Sequence, residues 1–153
     1  SPKHKEINMF RLSMLVLIFI LTGCATTQFG NFVAHNDEAH NKSIASDVTG
    51  QLIQLYPPAS TQFNMQHPTV DSFGDALVDN LRAGGYAIHE HKKSNLSKST
   101  DTPTSDGMTL GYVFDQMDGL YRLTVFVDQH VLTRAYIFNE STINPAGYWV
   151  RKE

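Results

Sequence analysis

The chain has 153 residues, a formal net charge of -3, 41% hydrophobic and 18% charged side chains. That is room for one modest domain with enough apolar content to fold, and the charge is too small and too mixed for a nucleic-acid-binding face. The single cysteine excludes an intramolecular disulfide and a cysteine-built zinc site.

The first predicted element is a targeting segment. Met9-Phe10-Arg11 is a short basic start, Leu12 to Leu21 is an apolar run, and Leu21-Thr22-Gly23-Cys24 ends it in small residues. This is the pattern of a secretory signal, and the run is about half of the ~20 residues that a spanning helix needs. Residues 1–23 therefore read as a signal peptide, with residues 1–8 as an upstream extension. Leu21-Thr22-Gly23-Cys24 resembles a bacterial lipobox, which implies acylation of Cys24 and a mature N-terminus there. Ala25 is not the aspartate associated with retention at the inner membrane, so the resemblance implies the periplasmic face of the outer membrane. Cleavage before Cys24 would remove Lys3, Lys5, Arg11 and Glu6, leaving a chain more acidic than the whole.

Residues 24–36 read as a tether. Phe29, Phe32 and Val33 have no helical period there, which fits either a plain tether or anchors that order on a partner, since three large apolar side chains fall in five residues. The folded domain is expected over 37–153. Asn36 or Asp37 caps a helix whose face is Ile44, Ala45, Val48, Leu52 and Leu55, and Pro57-Pro58 stops it. Thr61, Phe63 and Met65 alternate as a half-buried strand. Asp71 or Ser72 opens a second helix with Phe73, Ala76, Leu77 and Leu81 on one stripe, closed by Gly84-Gly85. Tyr86 and Ile88 give a short strand. Residues 91–106, rich in Ser, Thr and Lys, read as a mobile loop.

Three strands then form a meander: Thr109 to Gln116, Leu120 to Val127 and Val131 to Phe138. Asp118-Gly119 is a two-residue hairpin signal, and Asp128-Gln129-His130 makes the second turn. The expected fold is α+β, a small, mostly antiparallel sheet with two helices on one face.

No catalytic constellation stands out, so the chain reads as a non-enzyme with no cofactor. Asp115 and Asp118 flank a turn, where carboxylates serve the backbone. His89 and His91 would share one face of a strand, but no third ligand falls at a metal spacing. A periplasmic metal-binding or cell-wall-acting lipoprotein enzyme stays as the alternative function. The tail Tyr148-Trp149-Val150-Arg151 is different in kind. Adjacent aromatics in an extended segment point to opposite sides, so one ring can pack inward and the other meet a partner; the alternative is that both rings close the bottom of a small core. Tyr148, Trp149 and Arg151 join Phe29, Phe32 and Val33 as expected partner contacts.

The segments Gly50 to Ala59 with Leu55-Tyr56-Pro57-Pro58, Gln66-His67-Pro68-Thr69, Gly74 to Ala87, Arg134-Ala135-Tyr136 and Pro145 to Arg151 resemble the TrbH family of conjugal-transfer lipoproteins. The polar stretch from His91 to Asp106 departs from that pattern. The resemblance implies a structural lipoprotein of a conjugative type IV secretion system, scaffolding the outer-membrane core complex during DNA transfer. It implies periplasmic ring and channel-forming subunits as partners, many copies in a symmetric ring, and no direct contact with nucleic acid. It is also compatible with a fold similar to secretin N-terminal-type domains.

Overall fold

The computed structural model describes residues 28–34, 37–91, 106–139 and 141–153. Cys24, the expected signal and most of the polar loop lie outside the described residues.

Chain order runs β1 (Gly30–Asn31), α1 (Glu38–Leu55), a 3-10 turn (Pro58–Ser60), β2 (Gln62–Met65), α2 (Ser72–Ala83), β3 (Ala87–His89), β4 (Met108–Met117), β5 (Leu120–Val127), β6 (His130–Asn139), β7 (Thr142–Pro145) and β8 (Val150–Lys152). Both helices start on an aspartate, because the first backbone N–H groups of a helix have no partner within it. The Asp37 carboxylate accepts from the amides of Ala39 and His40, and that of Asp71 from Phe73 and Gly74. Helix α1 stops at Leu55, one residue before Tyr56, whose position ahead of Pro57 disfavours helical backbone. Each helix buries one stripe: Asn41, Ile44, Ala45, Val48, Thr49 and Leu52 on α1, and Phe73, Gly74, Leu77, Val78 and Leu81 on α2.

The sheet is mixed, in the order β3-β2-β4-β5-β6-β7. Beside β2, β1 also pairs with β4; beside β7, β8 also pairs with β6. The meander β4-β5-β6 is antiparallel and forms its centre. At the β4–β5 hairpin Asp118 has φ 52° and Gly119 φ 78°, the two positive values that a tight two-residue turn requires. Strand β2 runs parallel to both β3 and β4, and β1 runs parallel to β4. The fold is α+β and mostly antiparallel, as the element order implies. The parallel side of the sheet and the short strands β1, β7 and β8 are additions to that expectation.

Alternation decides which face is core. On β5, Leu123, Val125 and Val127 are buried, whereas Leu120 and Arg122 are exposed. The register places Tyr112, Phe114, Leu132 and Tyr136 on the buried side with them. These residues meet the helix stripes in one cluster that also holds Phe63 and Phe73. No described helix is long and apolar enough to cross a membrane.

Candidate assembly surfaces

The segment expected to be a tether is in part a strand. Gly30 pairs with Val113 and Asn31 with Phe114, and the Phe32 amide donates to the Phe114 carbonyl at 2.7 Å. The three apolar residues of this arm have different fates. Val33 is buried in the core at 7% exposure. Phe29 stacks on the His67 ring at 5.5 Å between centroids and meets Phe126 edge-on at 5.4 Å. Its seat depends on Gly111: a Cβ there would come within 2.8 Å of the Phe29 ring. Phe32 alone faces outward, 49% exposed. Between the arm and the loop before α2 lies a groove of about 310 Å³, whose lining includes Phe29, Phe32, His67, Pro68, Val70 and Asp71.

Asp71 holds this corner together. Besides capping α2, its carboxylate accepts from Asn31 Nδ2 at 3.1 Å and from the Tyr112 hydroxyl at 2.6 Å. Three elements, the arm, α2 and β4, converge on one side chain. Burial first, and then the neighbouring Asp71 carboxylate, push the Tyr112 phenol far above its ordinary range, so it remains a donor. His67 Nε2 faces the Tyr112 amide, 3.3 Å away, and Nδ1 lies 3.1 Å from the Pro68 carbonyl. Burial lowers the His67 pKa, partly opposed by the Pro68 carbonyl and Asp71 and assisted by His91. The neutral ring fits this setting, with Nε2 accepting and Nδ1–H donating.

A second lock fixes the C-terminal segment. The Arg134 guanidinium on β6 donates through Nη1 to both carboxylate oxygens of Asp47 on α1, at 2.8 and 3.0 Å. Its Nε donates to the Gly147 carbonyl at 2.9 Å, and its carbon lies 5.8 Å from the centroid of Trp149. The Tyr136 hydroxyl completes the lock, donating to Asp47 at 2.6 Å. Trp149 is half-buried against the core, while Tyr148 is 92% exposed. One ring in and the next ring out is the alternation of extended backbone. Arg151 lies at the surface, 3.4 Å from Glu153.

Of the residues singled out from sequence, the fold therefore leaves Phe32, Tyr148 and Arg151 on the surface and packs Phe29, Val33 and Trp149 on the chain's own domain. The locks built on Asp47, Asp71, Tyr112, Arg134 and Tyr136 had no motif to announce them. Among the described residues no three His, Cys, Asp or Glu side chains gather closely enough to hold a metal ion, and His89 and His91 acquire no third ligand.

These features define a small two-layer α+β module that presents exposed aromatic side chains on a cross-linked frame. The profile of the conjugal transfer protein TrbH matches residues 26–153, and the chain belongs to the TrbH family of conjugal transfer proteins. Its role is thus in conjugal transfer, in the cell envelope. No curated protein and no solved structure matches the chain.

Proposed function

We propose that this chain is a lipid-anchored scaffold of the outer-membrane core complex of a conjugative type IV secretion system. The observation that supports it is the arm. Cys24, in its lipobox-like setting, precedes Gln28 by four residues; the Phe29 ring then packs on His67 and Phe126, and Gly30 and Asn31 pair with β4. Four residues span at most about 14 Å, so acyl chains on Cys24 would hold the domain directly against the membrane. An anchor tied this closely positions a domain rather than merely tethering it. The exposed Phe32, Tyr148 and Arg151 are then available to periplasmic ring and channel-forming subunits, in as many copies as the ring requires. No observation favours a metal-binding or cell-wall-acting enzyme.

Cys24→Ala tests this reading. The expected result is loss of the chain from outer-membrane fractions, loss of co-purifying envelope subunits and a fall in DNA transfer between cells. Three acyl chains hold firmly because each buried methylene contributes ~0.8 kcal/mol. A native protein whose Cys24 carries no acyl group by mass spectrometry would refute the anchor. Unaltered transfer by the variant would refute the scaffold.

A further inference from the structure

The groove beside the arm opens where the chain enters the domain. Gln28 lines it together with Phe29, Phe32, Pro68 and Val70. Val70 is 81% exposed and Phe32 49%. These two side chains come from different segments, the loop before α2 and the arm, and the fold brings them to one opening.

The polar groups of the opening are already engaged. Among the described residues that line it there is no lysine, arginine or glutamate, and the one carboxylate is that of Asp71. Its Oδ1 takes Asn31 Nδ2 and the amides of Phe73 and Gly74, and its Oδ2 takes the Tyr112 hydroxyl. The two helices start close by. Asn41 on α1 donates to the Ser72 hydroxyl on α2 at 2.6 Å, which draws together first turns that carry Asp37, Glu38 and Asp75. The opening thus offers apolar side chains in an acidic surround, a setting that repels anionic headgroups.

The path of the chain before Gln28 says what covers it. Cys24 is at most about 14 Å from Gln28 along the chain. With acyl groups on Cys24 buried in a bilayer, Gln28 and the opening it lines stay within that reach of the lipid surface. Two exposed side chains fall far short of a stable protein interface, which buries roughly 1,200–2,000 Å². On a tethered domain they suffice, because the anchor makes their contact with lipid intramolecular. We infer that this opening is the membrane-facing side of the domain, with Phe32 and Val70 dipping into the interfacial layer of a zwitterionic bilayer. The inference rests on the anchored reading and adds which face meets the lipid. It assigns Phe32 to lipid and leaves Tyr148 and Arg151 for protein partners.

Site-directed labelling of the acylated full-length chain tests it. Cys24 is the only cysteine, and its acylated sulfur does not take a thiol label. Val70→Cys and Phe32→Cys, each labelled with a polarity-sensitive fluorophore, are reconstituted into vesicles of phosphatidylcholine and phosphatidylethanolamine that hold no other protein. At both positions the emission should shift to the blue and be quenched by lipids carrying a nitroxide near the headgroup. A nitroxide at the bilayer centre should quench less, since interfacial insertion reaches only about 5–10 Å. The control is Ile53→Cys, 40% exposed and near the other end of α1, whose label should stay in water. Phosphatidylglycerol in the vesicles should not strengthen the shift, and a rise with anionic lipid would overturn the apolar contact. Mass spectrometry of the same preparation separates the two readings. An acylated chain whose label at 70 or 32 stays in water, or shifts no more than the one at 53, overturns this inference and leaves the anchor standing. A chain without acyl groups overturns both.

Discussion

Asp71 and Asp37 are both helix caps, and the difference between them shows what the fold asks of one carboxylate. Asp37 is exposed and serves only the amides of Ala39 and His40. Its replacement by alanine should cost about 1 kcal/mol, the usual loss of an exposed cap. Asp71 also takes the Tyr112 hydroxyl and the Asn31 amide. Asp71→Ala would leave that fully buried phenol without its acceptor, so a loss of about 2–4 kcal/mol is expected in urea denaturation. Part of it should return in the Asp71→Ala, Tyr112→Phe double variant, which removes the orphaned hydroxyl. Equal losses for the two single aspartate variants would contradict this account. His67 gives the same corner a pH dependence. Burial keeps its folded pKa below the ordinary value of 6.5, so in the unfolded chain it takes up a proton at a pH where the folded chain refuses one. Stability contributed by the neutral ring is present above pH 6.5 and declines as pH falls from there toward the folded pKa. His67→Gln should show a smaller loss of stability than the parent between pH 7.5 and 5.5, with the other histidines cancelling in the comparison. Parallel stability profiles for the two chains would refute it.

At the scale of elements, the arm is where the sequence and the structure part company. Phe29, Phe32 and Val33 look alike in the sequence, spaced without period in a polar segment. The structure sorts them by what lies opposite: Gly111 leaves a seat for Phe29, the core accepts Val33, and Phe32 has open space. Phe29→Ala should therefore lower stability by about 1–2 kcal/mol, less than a fully buried phenylalanine because the ring is only half covered. It should also speed amide exchange along the middle of β4. Phe32→Ala should leave the melting temperature unchanged; a matching fall in both variants would show that the arm acts as a unit. The longer elements were legible because each carries its own signal: a period of 3.6 on α1 and α2, a period of two on β2 and β5, and glycine or aspartate at the turns. Strands β1, β7 and β8 have two, four and three residues, too few to show a period, and exist because the edges of β4 and β6 offer unpaired backbone. The parallel direction of β2 was equally invisible, since alternation is the same in either direction. The locks joined Asp71 to Tyr112 across 41 positions and Asp47 to Tyr136 across 89, beyond any local pattern.

On the scale of the whole molecule, the C-terminal segment is the part whose two aromatics can be assigned different duties. Trp149 lies under the Arg134 guanidinium, and that guanidinium also binds Asp47 on α1 and the Gly147 carbonyl just before the tail. The tail is thus fastened through β6 to a helix on the other layer, and its outward ring is held in place by the inward one. Trp149→Ala removes half-buried apolar area and the face on which Arg134 rests. We expect a loss of about 2–3 kcal/mol, short of the ~3–5 kcal/mol for a fully buried tryptophan. Tyr148, at 92% exposure, contributes almost nothing to the isolated domain, and Tyr148→Ala should leave stability within about 0.5 kcal/mol of the parent. If the tail is an assembly element, that silent substitution is the informative one: recruitment to envelope subunits and DNA transfer should fall although the fold is intact. Trp149→Ala should fail in both respects, because a loosened tail no longer presents Tyr148. The order of the two variants separates the possibilities. A Tyr148→Ala chain that is fully stable and fully active would remove this ring from the assembly surface and leave Phe32 and Arg151 as the exposed contacts still to be tested.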